Sequence, residues 1–272
     1  PLLPNWKHIP IAYNGKVTSL ITDGDPVIRP NVQMKAKDAA APTFGACREL
    51  DFELELGAVI SASSDLGDPP GIEHADEFLF GLVLVNDWSA RDTQRWEYQP
   101  LGPFLAKSFA TSVSPWIVTF DALAEFAVPH HAQDPEPLPY LRSDELVSYD
   151  LYLEILLRTQ SMDEPVTICK TNAKNLYWTF AQQFAHMVSN GAPVWTAELF
   201  ASGTISGETP DSFGSMLELG WKGERPIELP NGEKRVFLED GDEVTLRGYG
   251  QGDGYRIGFG DLRSRVFPAI QL

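Results

Sequence analysis

The segment DFELELGAVI, residues 51–60, alternates polar and apolar side chains with the period of a β-strand. Its apolar side chains share one face, and the other face carries Asp51, Glu53, Glu55 and Gly57. A spacing of two along a strand places the β-carbons of Glu53 and Glu55 roughly 7 Å apart. Parallel carboxylates repel each other unless a cation lies between them, and Ca²⁺ and Mg²⁺ prefer such oxygen donors. The pattern therefore indicates a divalent-cation site, with an ordinary solvent-facing strand face as the alternative; periodicity alone does not separate Asp51 from the two glutamates.

Strand signals continue on the C-terminal side of this segment and predict a mainly β (α+β) fold. The expected strands are residues 80–85, 148–157, 166–170, 199–206 and 215–221. The dipeptides Asn231-Gly232 and Asp240-Gly241 separate short apolar runs, and both favour the tight turns of β-hairpins.

Two stretches have helical spacing, residues 89–96 and 173–189. In the first of them, Ser89 and Asp92 have the spacing of a capping box. Residues 129–139 contain four prolines and are expected to form a surface loop. Because no shift in composition divides the chain, we expect one domain over residues 1–272.

The chain has 272 residues with 21 basic and 38 acidic side chains, which gives a formal net charge of −17. This charge argues against a nucleic-acid partner because a polyanion would be repelled. The hydrophobic share of 43% excludes a disordered chain. The longest apolar run, residues 78–85, is far shorter than the roughly 20 residues that span a membrane.

The two cysteines, Cys47 and Cys169, are far apart in the sequence and fit reduced thiols better than a disulfide scaffold. We therefore expect a cytoplasmic protein. The chain opens at Pro1 and not at a methionine, so a partial or processed chain is also expected.

Asp87 follows directly after the predicted strand at residues 80–85, in the sequence Asn86-Asp87-Trp88. A carboxylate at the end of a buried strand is unusual unless it is paired, hydrogen-bonded or bound to a ligand. The alternative is that Asp87 caps the helix that follows.

Arg91, Gln94 and Tyr98 have the spacing of one helix face. Together they offer a cation, an amide and a phenol to a small molecule. The alternative is a solvent-exposed stripe, and Pro100 makes the helical placement of Tyr98 uncertain.

Lys107 lies in the apolar sequence GPFLAKSF, residues 102–109. A lysine with such neighbours is expected to be partly buried and to need an anion, and it could stabilise a developing oxyanion. The alternative is a side chain that reaches the solvent with its ammonium.

The segment ASGTISG, residues 201–207, is rich in serine, threonine and glycine, and Thr204 lies at its centre. Such residues can line a pocket with hydroxyl and amide groups, or they can mark a bulge or a close strand crossing. Glu218 lies in a later apolar segment and is a further candidate for a buried carboxylate.

Taken together, these segments resemble the fumarylacetoacetase family over nearly the whole chain. The matching blocks are PNWKHIP (4–10), GACRELDFELELG (45–57), NDWSARDTQRWEYQPLGPFLAKSF (86–109), ASGTISG (201–207), FGSMLELGWKG (213–223) and GYGQGDGYRIGFG (248–260). The resemblance implies the family's catalytic domain, a mixed β-sandwich roll that forms homodimers. It also implies hydrolysis of a carbon–carbon bond in a 1,3-dicarbonyl acid, which yields fumarate and acetoacetate at the end of tyrosine and phenylalanine degradation.

The resemblance also implies a metal site that holds Ca²⁺ or Mg²⁺. Glu53 and Glu55 match the family's Glu-x-Glu metal ligands, and Asp87 matches a further ligand. Lys107 and Thr111 match a second cation site beside the first, where Lys107 is also implied to stabilise negative charge.

Three further positions, Gln94, Tyr98 and Thr204, match residues that bind the substrate, a dicarboxylate β-diketone. Arg91 matches a basic residue near the site, and Glu218 matches the acid that helps to orient the attacking water.

The family's general base is a histidine in a segment just upstream of the PNW block, together with an aspartate ligand and a tyrosine and an arginine that bind substrate. None of the 272 residues matches that segment, and His8 does not match its motif. The small SH3-like N-terminal domain of the family has no match either. Two alternatives therefore stand beside the main hypothesis: a related acylpyruvate hydrolase or oxaloacetate decarboxylase, and a truncated, non-catalytic dimeric module.

Overall fold

The computed structural model describes residues 4–272 of the chain. Pro1, on which the expectation of a partial or processed chain rests, lies outside the described residues. The strands are β1 (Leu20–Ile21), β2 (Val27–Ile28), β3 (Asn31–Met34), β4 (Thr43–Ala46), β5 (Leu50–Asp51), β6 (Leu54–Ile60), β7 (Leu79–Asp87), β8 (Ser89–Ala90), β9 (Thr111–Val113), β10 (Val118–Thr119), β11 (Ala127–Pro129), β12 (Val147–Tyr149), β13 (Leu151–Arg158), β14 (Val166–Asn172), β15 (Leu199–Ala201), β16 (Ile227–Glu228), β17 (Lys234–Arg235), β18 (Glu243–Gln251) and β19 (Arg256–Phe267).

The helices of the described residues are short. They are α1 (Ala75–Phe78), α2 (Arg91–Glu97), α3 (Phe120–Leu123), α4 (Phe180–Val188) and α5 (Met216–Leu219), with 3-10 turns at Val17–Ser19, Ile72–His74, Ala124–Phe126, Pro139–Leu141 and Ala173–Asn175. Among residues 4–272, no helix combines the length and the apolar character that a membrane crossing requires.

Two mixed sheets form the body of the protein. One has the order β1-β9-β7-β6-β15, with β10 also paired to β7, and the other has the order β14-β13-β18-β19-β2. Most neighbours are antiparallel, whereas β1 runs parallel to β9 and β2 runs parallel to β19. The prediction of a mainly β fold built from mixed sheets is therefore confirmed.

A single large apolar core joins the two sheets. It contains side chains of the first sheet such as Leu54 and Leu84, and side chains of the second such as Ile155, Leu246 and Phe259. Both Cys47 and Cys169 belong to this core, and both are free thiols, as expected.

Most predicted strands form, with shifted ends. The strand predicted at 80–85 is the centre of β7, and the one at 166–170 lies within β14. The strand predicted at 148–157 is interrupted between β12 and β13 at Asp150. The segment 51–60 is divided into β5 and β6, because Glu53 leaves the ladder and pairs with Ser215 in an isolated bridge.

Two strand predictions are wrong in part or in whole. Of residues 199–206, only Leu199–Ala201 is a strand, and the chain then turns at Gly203, whose φ is +79°. Residues 215–221 form no strand but the short helix α5, which Ser215 caps through its hydroxyl. The sequence Ser215-Met-Leu-Glu218 has the capping-box spacing, and that signal outweighs the apolar run.

The predicted helices are shorter than expected. The helical part of 173–189 is α4, which begins after Thr179 in a capping box with Gln182, and residues 173–175 form a separate 3-10 turn. In 89–96, Ser89 belongs to β8 and does not cap α2, whose N-cap is Ala90. The capping box predicted there is therefore wrong.

Of the two predicted hairpins, the one at Asn231-Gly232 is confirmed, because it joins the antiparallel strands β16 and β17. The one at Asp240-Gly241 is wrong, since Leu238 pairs with Leu50 and β18 pairs with β13 and β19 instead. The dipeptide still makes a tight turn, in which Gly241 has a φ of +92°.

Candidate metal centre

Glu53, Glu55 and Asp87 come together at one end of the β6–β7 pair. One carboxylate oxygen from each residue lies within 4.8 Å of the other two. The register pairs Leu54 with Asn86, so the residues that flank this pair lie side by side. The backbone N–H of Asp87 also donates to the Glu53 carbonyl at 3.2 Å. All three side chains are nearly closed off from solvent, which excludes the solvent-facing strand face as an explanation.

Lys107 places its ammonium between two of these carboxylates. Its Nζ lies 2.5 Å from Glu53 Oε2 and 3.0 Å from Asp87 Oδ2. The residue is 3% exposed, so the prediction of a buried lysine with anionic partners is confirmed, and the solvent-reaching alternative is wrong. Although burial opposes the charged form, the carboxylates of Glu53 and Asp87 raise the pKa of Lys107, which therefore stays protonated at neutral pH.

Arg91, the first residue of α2, is also buried and forms two ion pairs. Its guanidinium lies 2.8 Å from Asp51 Oδ2 and 2.8 Å from Glu53 Oε1, and Nη1 donates to Gln94 Oε1 at 3.1 Å. Burial alone would raise the pKa of Glu53, but Lys107 and Arg91 together lower it to about 2. The solvent-exposed stripe is thus excluded for Arg91.

Glu55 receives much less compensation. Its Oε2 accepts the Gly203 N–H at 3.0 Å, and the Lys107 ammonium bonds to the other two carboxylates. Burial, followed by the negative charges of Asp87 and Glu53, raises the pKa of Glu55 well above its usual range. Glu55 is therefore the acidic group that gains most from an added cation.

The charges of the centre fit a divalent cation. Four buried carboxylates, Asp51, Glu53, Glu55 and Asp87, face two buried cations, Lys107 and Arg91. With all four carboxylates ionised, two negative charges remain, and uncompensated charge in an apolar interior is costly. Closely spaced carboxylate oxygens are also the donor set that Ca²⁺ and Mg²⁺ prefer.

Tyr13 is a member of the centre that the sequence did not indicate. Its hydroxyl donates to Asp87 Oδ2, and its ring centroid lies 5.8 Å from Lys107 Nζ. Burial and then the Asp87 charge raise the pKa of the phenol, so it remains a hydrogen-bond donor. The loop around Tyr13 has no periodicity and no motif, and no sequence signal could have found this residue.

Glu218 lies in the first turn of α5, where two serines hold its carboxylate. The Ser206 hydroxyl is 3.0 Å from both carboxylate oxygens, and the Ser215 hydroxyl donates to Oε2 at 2.7 Å. Burial raises the pKa of Glu218. The expectation of a buried carboxylate is confirmed in part, because Glu218 is half-buried, and the element that carries it is a helix.

The remaining candidate residues border the centre to different degrees. Thr111 in β9 pairs with Asp87, and Gln94 bonds to Arg91. Thr204 follows Gly203, the residue whose N–H binds Glu55. Tyr98 caps the C-terminal end of α2 and is 37% exposed. Asp87 does not cap α2, so that alternative is excluded.

These features define a class: a mainly β protein with a buried carboxylate centre of the kind that accepts a hard divalent cation. The family model described as fumarylacetoacetate hydrolase, C-terminal, matches residues 3–267. The chain belongs to this fumarylacetoacetate hydrolase family.

Curated relatives agree with this assignment. The chain is 54% identical to fumarylacetoacetase of Homo sapiens, over 99% of this chain and 64% of that protein. It is 52% identical to fumarylacetoacetase of Bos taurus, over 100% of this chain and 65% of that protein. It is 49% identical to fumarylacetoacetase of Arabidopsis thaliana, over 98% of this chain and 63% of that protein. The chain thus spans less than two thirds of the length of these relatives.

Solved structures share the fold at lower identity. A fumarylacetoacetate hydrolase from Exiguobacterium antarcticum aligns with a TM-score of 0.54 and 20% identity, over 92% of this chain and 64% of that one. A 5-carboxymethyl-2-hydroxymuconate delta-isomerase from Mycobacterium smegmatis aligns with a TM-score of 0.52 and 20% identity, over 93% and 67%. At this identity, the likeness describes the fold alone.

Proposed function

We propose that residues 1–272 form the catalytic domain of a metal-dependent hydrolase that cleaves 4-fumarylacetoacetate to fumarate and acetoacetate. This reaction is the last step of tyrosine and phenylalanine degradation. The observation that carries the proposal is the buried group Glu53, Glu55 and Asp87, with Lys107 and Arg91 bonded to it. Roughly half of the chain is identical to curated fumarylacetoacetases, which supports this substrate over others.

Glu53, Glu55 and Asp87 are the residues that would hold the cation, Ca²⁺ or Mg²⁺. When bound, such an ion acts as a Lewis acid toward the oxygens of a 1,3-dicarbonyl compound. Lys107 and Thr111 would border a second cation. Because a protonated ammonium has no lone pair, Lys107 would contribute there through its backbone carbonyl.

The chain's own side chains would provide charge stabilisation and orientation. Lys107 and Arg91 are fixed cations in a dry site, where they can stabilise negative charge on substrate oxygens. Gln94, Tyr98 and Thr204 would bind the substrate through amide, phenol and hydroxyl groups.

Glu218 would orient the attacking water through its carboxylate, which two serine hydroxyls hold in place. The reaction also needs a general base that takes a proton from this water. We assign none of residues 1–272 to that role.

The proposal includes a cytoplasmic location and assembly as a homodimer. The ligand is the small substrate, and no contact with nucleic acid or membrane is proposed. Sedimentation analysis measures the assembly directly. A mass twice that of the 30.1 kDa chain is expected for residues 1–272.

The test is an assay of the complete encoded protein with 4-fumarylacetoacetate as substrate. Hydrolysis is measured as the loss of the ultraviolet absorbance of the diketone. Turnover is expected with Mg²⁺ or Ca²⁺, and Glu53→Gln should abolish it while Glu228→Gln, an exposed acid in β16, should not change it. Preferred turnover of an acylpyruvate or of oxaloacetate in parallel assays would replace the proposed substrate. Metal binding without turnover of any of the three would refute the proposed activity.

A further inference from the structure

Asp51 lies beside the candidate metal centre but is not one of its three clustered carboxylates. Its side chain is completely buried. Oδ1 accepts the backbone N–H groups of Phe52 and Met216, both at 2.8 Å. Oδ2 accepts the Leu217 N–H at 3.1 Å and the Nε–H of Arg91 at 2.9 Å, and Arg91 Nη2 lies 2.8 Å from it in an ion pair. With two hydrogen bonds on each oxygen, Asp51 has no lone pair left for a cation.

The bonds of Asp51 connect two parts of the site. The first N–H groups of a helix have no partner within the helix. Asp51 accepts two of them at the start of α5, and the Ser215 hydroxyl accepts a third, that of Glu218, at 3.3 Å. The turn that carries Glu218 is therefore fastened to Asp51.

The second connection runs through Arg91. The guanidinium that bonds to Asp51 Oδ2 also contacts Glu53 Oε1 at 2.8 Å. A planar guanidinium that contacts two carboxylates has little freedom to rotate. Asp51 thereby limits how far Arg91 can move toward or away from Glu53.

We propose that Asp51 is a positioning residue. Its carboxylate holds Arg91 against Glu53 and holds in place the turn of α5 that carries Glu218. The inference rests on the proposed function, because Glu53 and Glu218 carry its consequences. Asp51 acts through these neighbours and contacts no reacting group.

The test compares Asp51→Asn with Asp242→Asn in the complete encoded protein. Asp242 is a matched control: it is 1% exposed, contacts Arg235 at 2.9 and 3.0 Å, and accepts the Glu239 N–H at 2.9 Å. An asparagine at either position turns one acceptor into a donor. Both variants should lower the melting temperature.

The two variants should differ in function. Asp51→Asn should lower kcat by about 10–100-fold, with a smaller change in KM, and should weaken Mg²⁺ binding in calorimetry by a similar factor. Asp242→Asn should leave kcat and the Mg²⁺ Kd at their wild-type values. A wild-type kcat and Mg²⁺ Kd in Asp51→Asn, or losses that follow melting temperature equally in both variants, would overturn the inference.

The proposed function fails separately, if the wild-type protein binds Mg²⁺ without turning over the substrate. The Mg²⁺ Kd values of the two variants then decide about Asp51 on their own, since the contact with Glu53 is independent of the substrate. An unchanged Kd in Asp51→Asn overturns the inference in that case.

If Asp51→Asn does not fold, a pair of variants at Met216 tests the same tie. Met216→Ala keeps the N–H that donates to Asp51, and Met216→Pro removes it. Proline suits the first position of a helix, and the extended Ser215 before it, with φ −143° and ψ 156°, tolerates a following proline. A lower kcat in Met216→Pro than in Met216→Ala is expected, and equal values would overturn the inference.

Discussion

The three clustered carboxylates have unequal surroundings, and the inequality determines what each can do. Glu53 contacts both Lys107 and Arg91, and Asp87 contacts Lys107 and Tyr13. Glu55 has one backbone N–H, that of Gly203. It is therefore the ligand whose removal should affect cation binding most while disturbing the other hydrogen bonds least.

We expect Glu55→Gln to fold with at least wild-type stability in a chelating buffer, because burial and the charges of Asp87 and Glu53 already oppose the charged form of Glu55. Adding Mg²⁺ or Ca²⁺ should stabilise the wild type, by about 2.7 kcal/mol at one hundred times the Kd. The variant should gain far less. Thermal unfolding with and without the ion measures both effects, and Glu228→Gln serves as the control. An equal ion-induced shift in Glu55→Gln and the wild type would contradict the assignment of Glu55 as a ligand.

A second change at this scale concerns Lys107. Lys107→Met leaves Glu53 and Asp87 without their shared ammonium, so we expect a loss of about 3–5 kcal/mol in the free energy of unfolding. Urea unfolding in chelating buffer measures it. The matched control Lys234→Met breaks an exposed pair with Glu228 and should leave the urea midpoint unchanged. If Lys107→Met also left the urea midpoint nearly unchanged, its carboxylate partners would be well solvated and the prediction would be wrong.

The residues of the centre differ in how far they could be predicted. Period two along a strand placed Glu53 beside Glu55, and the end of an apolar run indicated Asp87. The same alternation also placed Asp51 with the two glutamates. It shows which side chains share a face of the strand, but not which groups those side chains bond to. Asp51 differs from the two glutamates because the start of α5, far along the chain, packs against it. The N–H groups of Met216 and Leu217 donate to its carboxylate.

At the scale of elements, the errors come from tertiary contacts that replace a local pattern. The apolar run after Ser215 was predicted as a strand, yet Met, Leu and Glu are good helix formers. The contact of Asp51 with the first N–H groups of α5 stabilises the helical turn. The strands β6 and β7 were predictable because one alternates with period two and the other is a continuous apolar run. Short elements such as α5 depend on one or two capping side chains, which a pattern of apolar residues does not record.

The loop at residues 129–139 is predicted to respond to pH through His130. The ring contacts Ser148 Oγ at 2.7 Å and the Tyr177 carbonyl at 3.1 Å, and burial, then His131, lowers its pKa to about 4. Since the folded pKa lies below the ordinary value of 6.5, this stabilisation is complete above that pH. It is lost progressively as the pH falls from 6.5 to about 4.

Between pH 7 and 5, the wild type should therefore lose about 1 kcal/mol more stability than His130→Gln, allowing for partial exposure of the ring. Urea unfolding of both proteins at the two pH values measures the difference. His74→Gln, at an exposed site where Glu77 raises the pKa, should not reproduce it. Parallel pH profiles for the wild type and His130→Gln would contradict the prediction.

At the scale of the whole molecule, the position of the centre follows from sheet register. Side chains alternate between faces, so a slip of one residue between β6 and β7 would turn Asp87 away from Glu53. The many hydrogen bonds of the two sheets fix that register. The net charge of −17 is otherwise distributed over the surface and opposes compaction.

We therefore expect the melting temperature to rise by about 2–4 °C when NaCl increases from about 10 to about 150 mM in chelating buffer, because salt screens this repulsion. Glu55→Gln should show the same rise, since it removes one charge among many. A rise that disappears in Glu55→Gln would locate the salt effect in the centre and not in the surface charge.

The two buried thiols allow the opening of the fold to be measured. Cys47 follows β4, which pairs with β3, and donates to Asp92, whereas Cys169 lies on β14 in the second mixed sheet. Burial raises the pKa of both, so neither reacts as a thiolate while its surroundings stay closed. A thiol reagent therefore labels each cysteine only when that part of the molecule opens. Because the two lie in different parts of the fold, unequal labelling rates indicate local opening around one cysteine, and equal rates indicate unfolding of the whole.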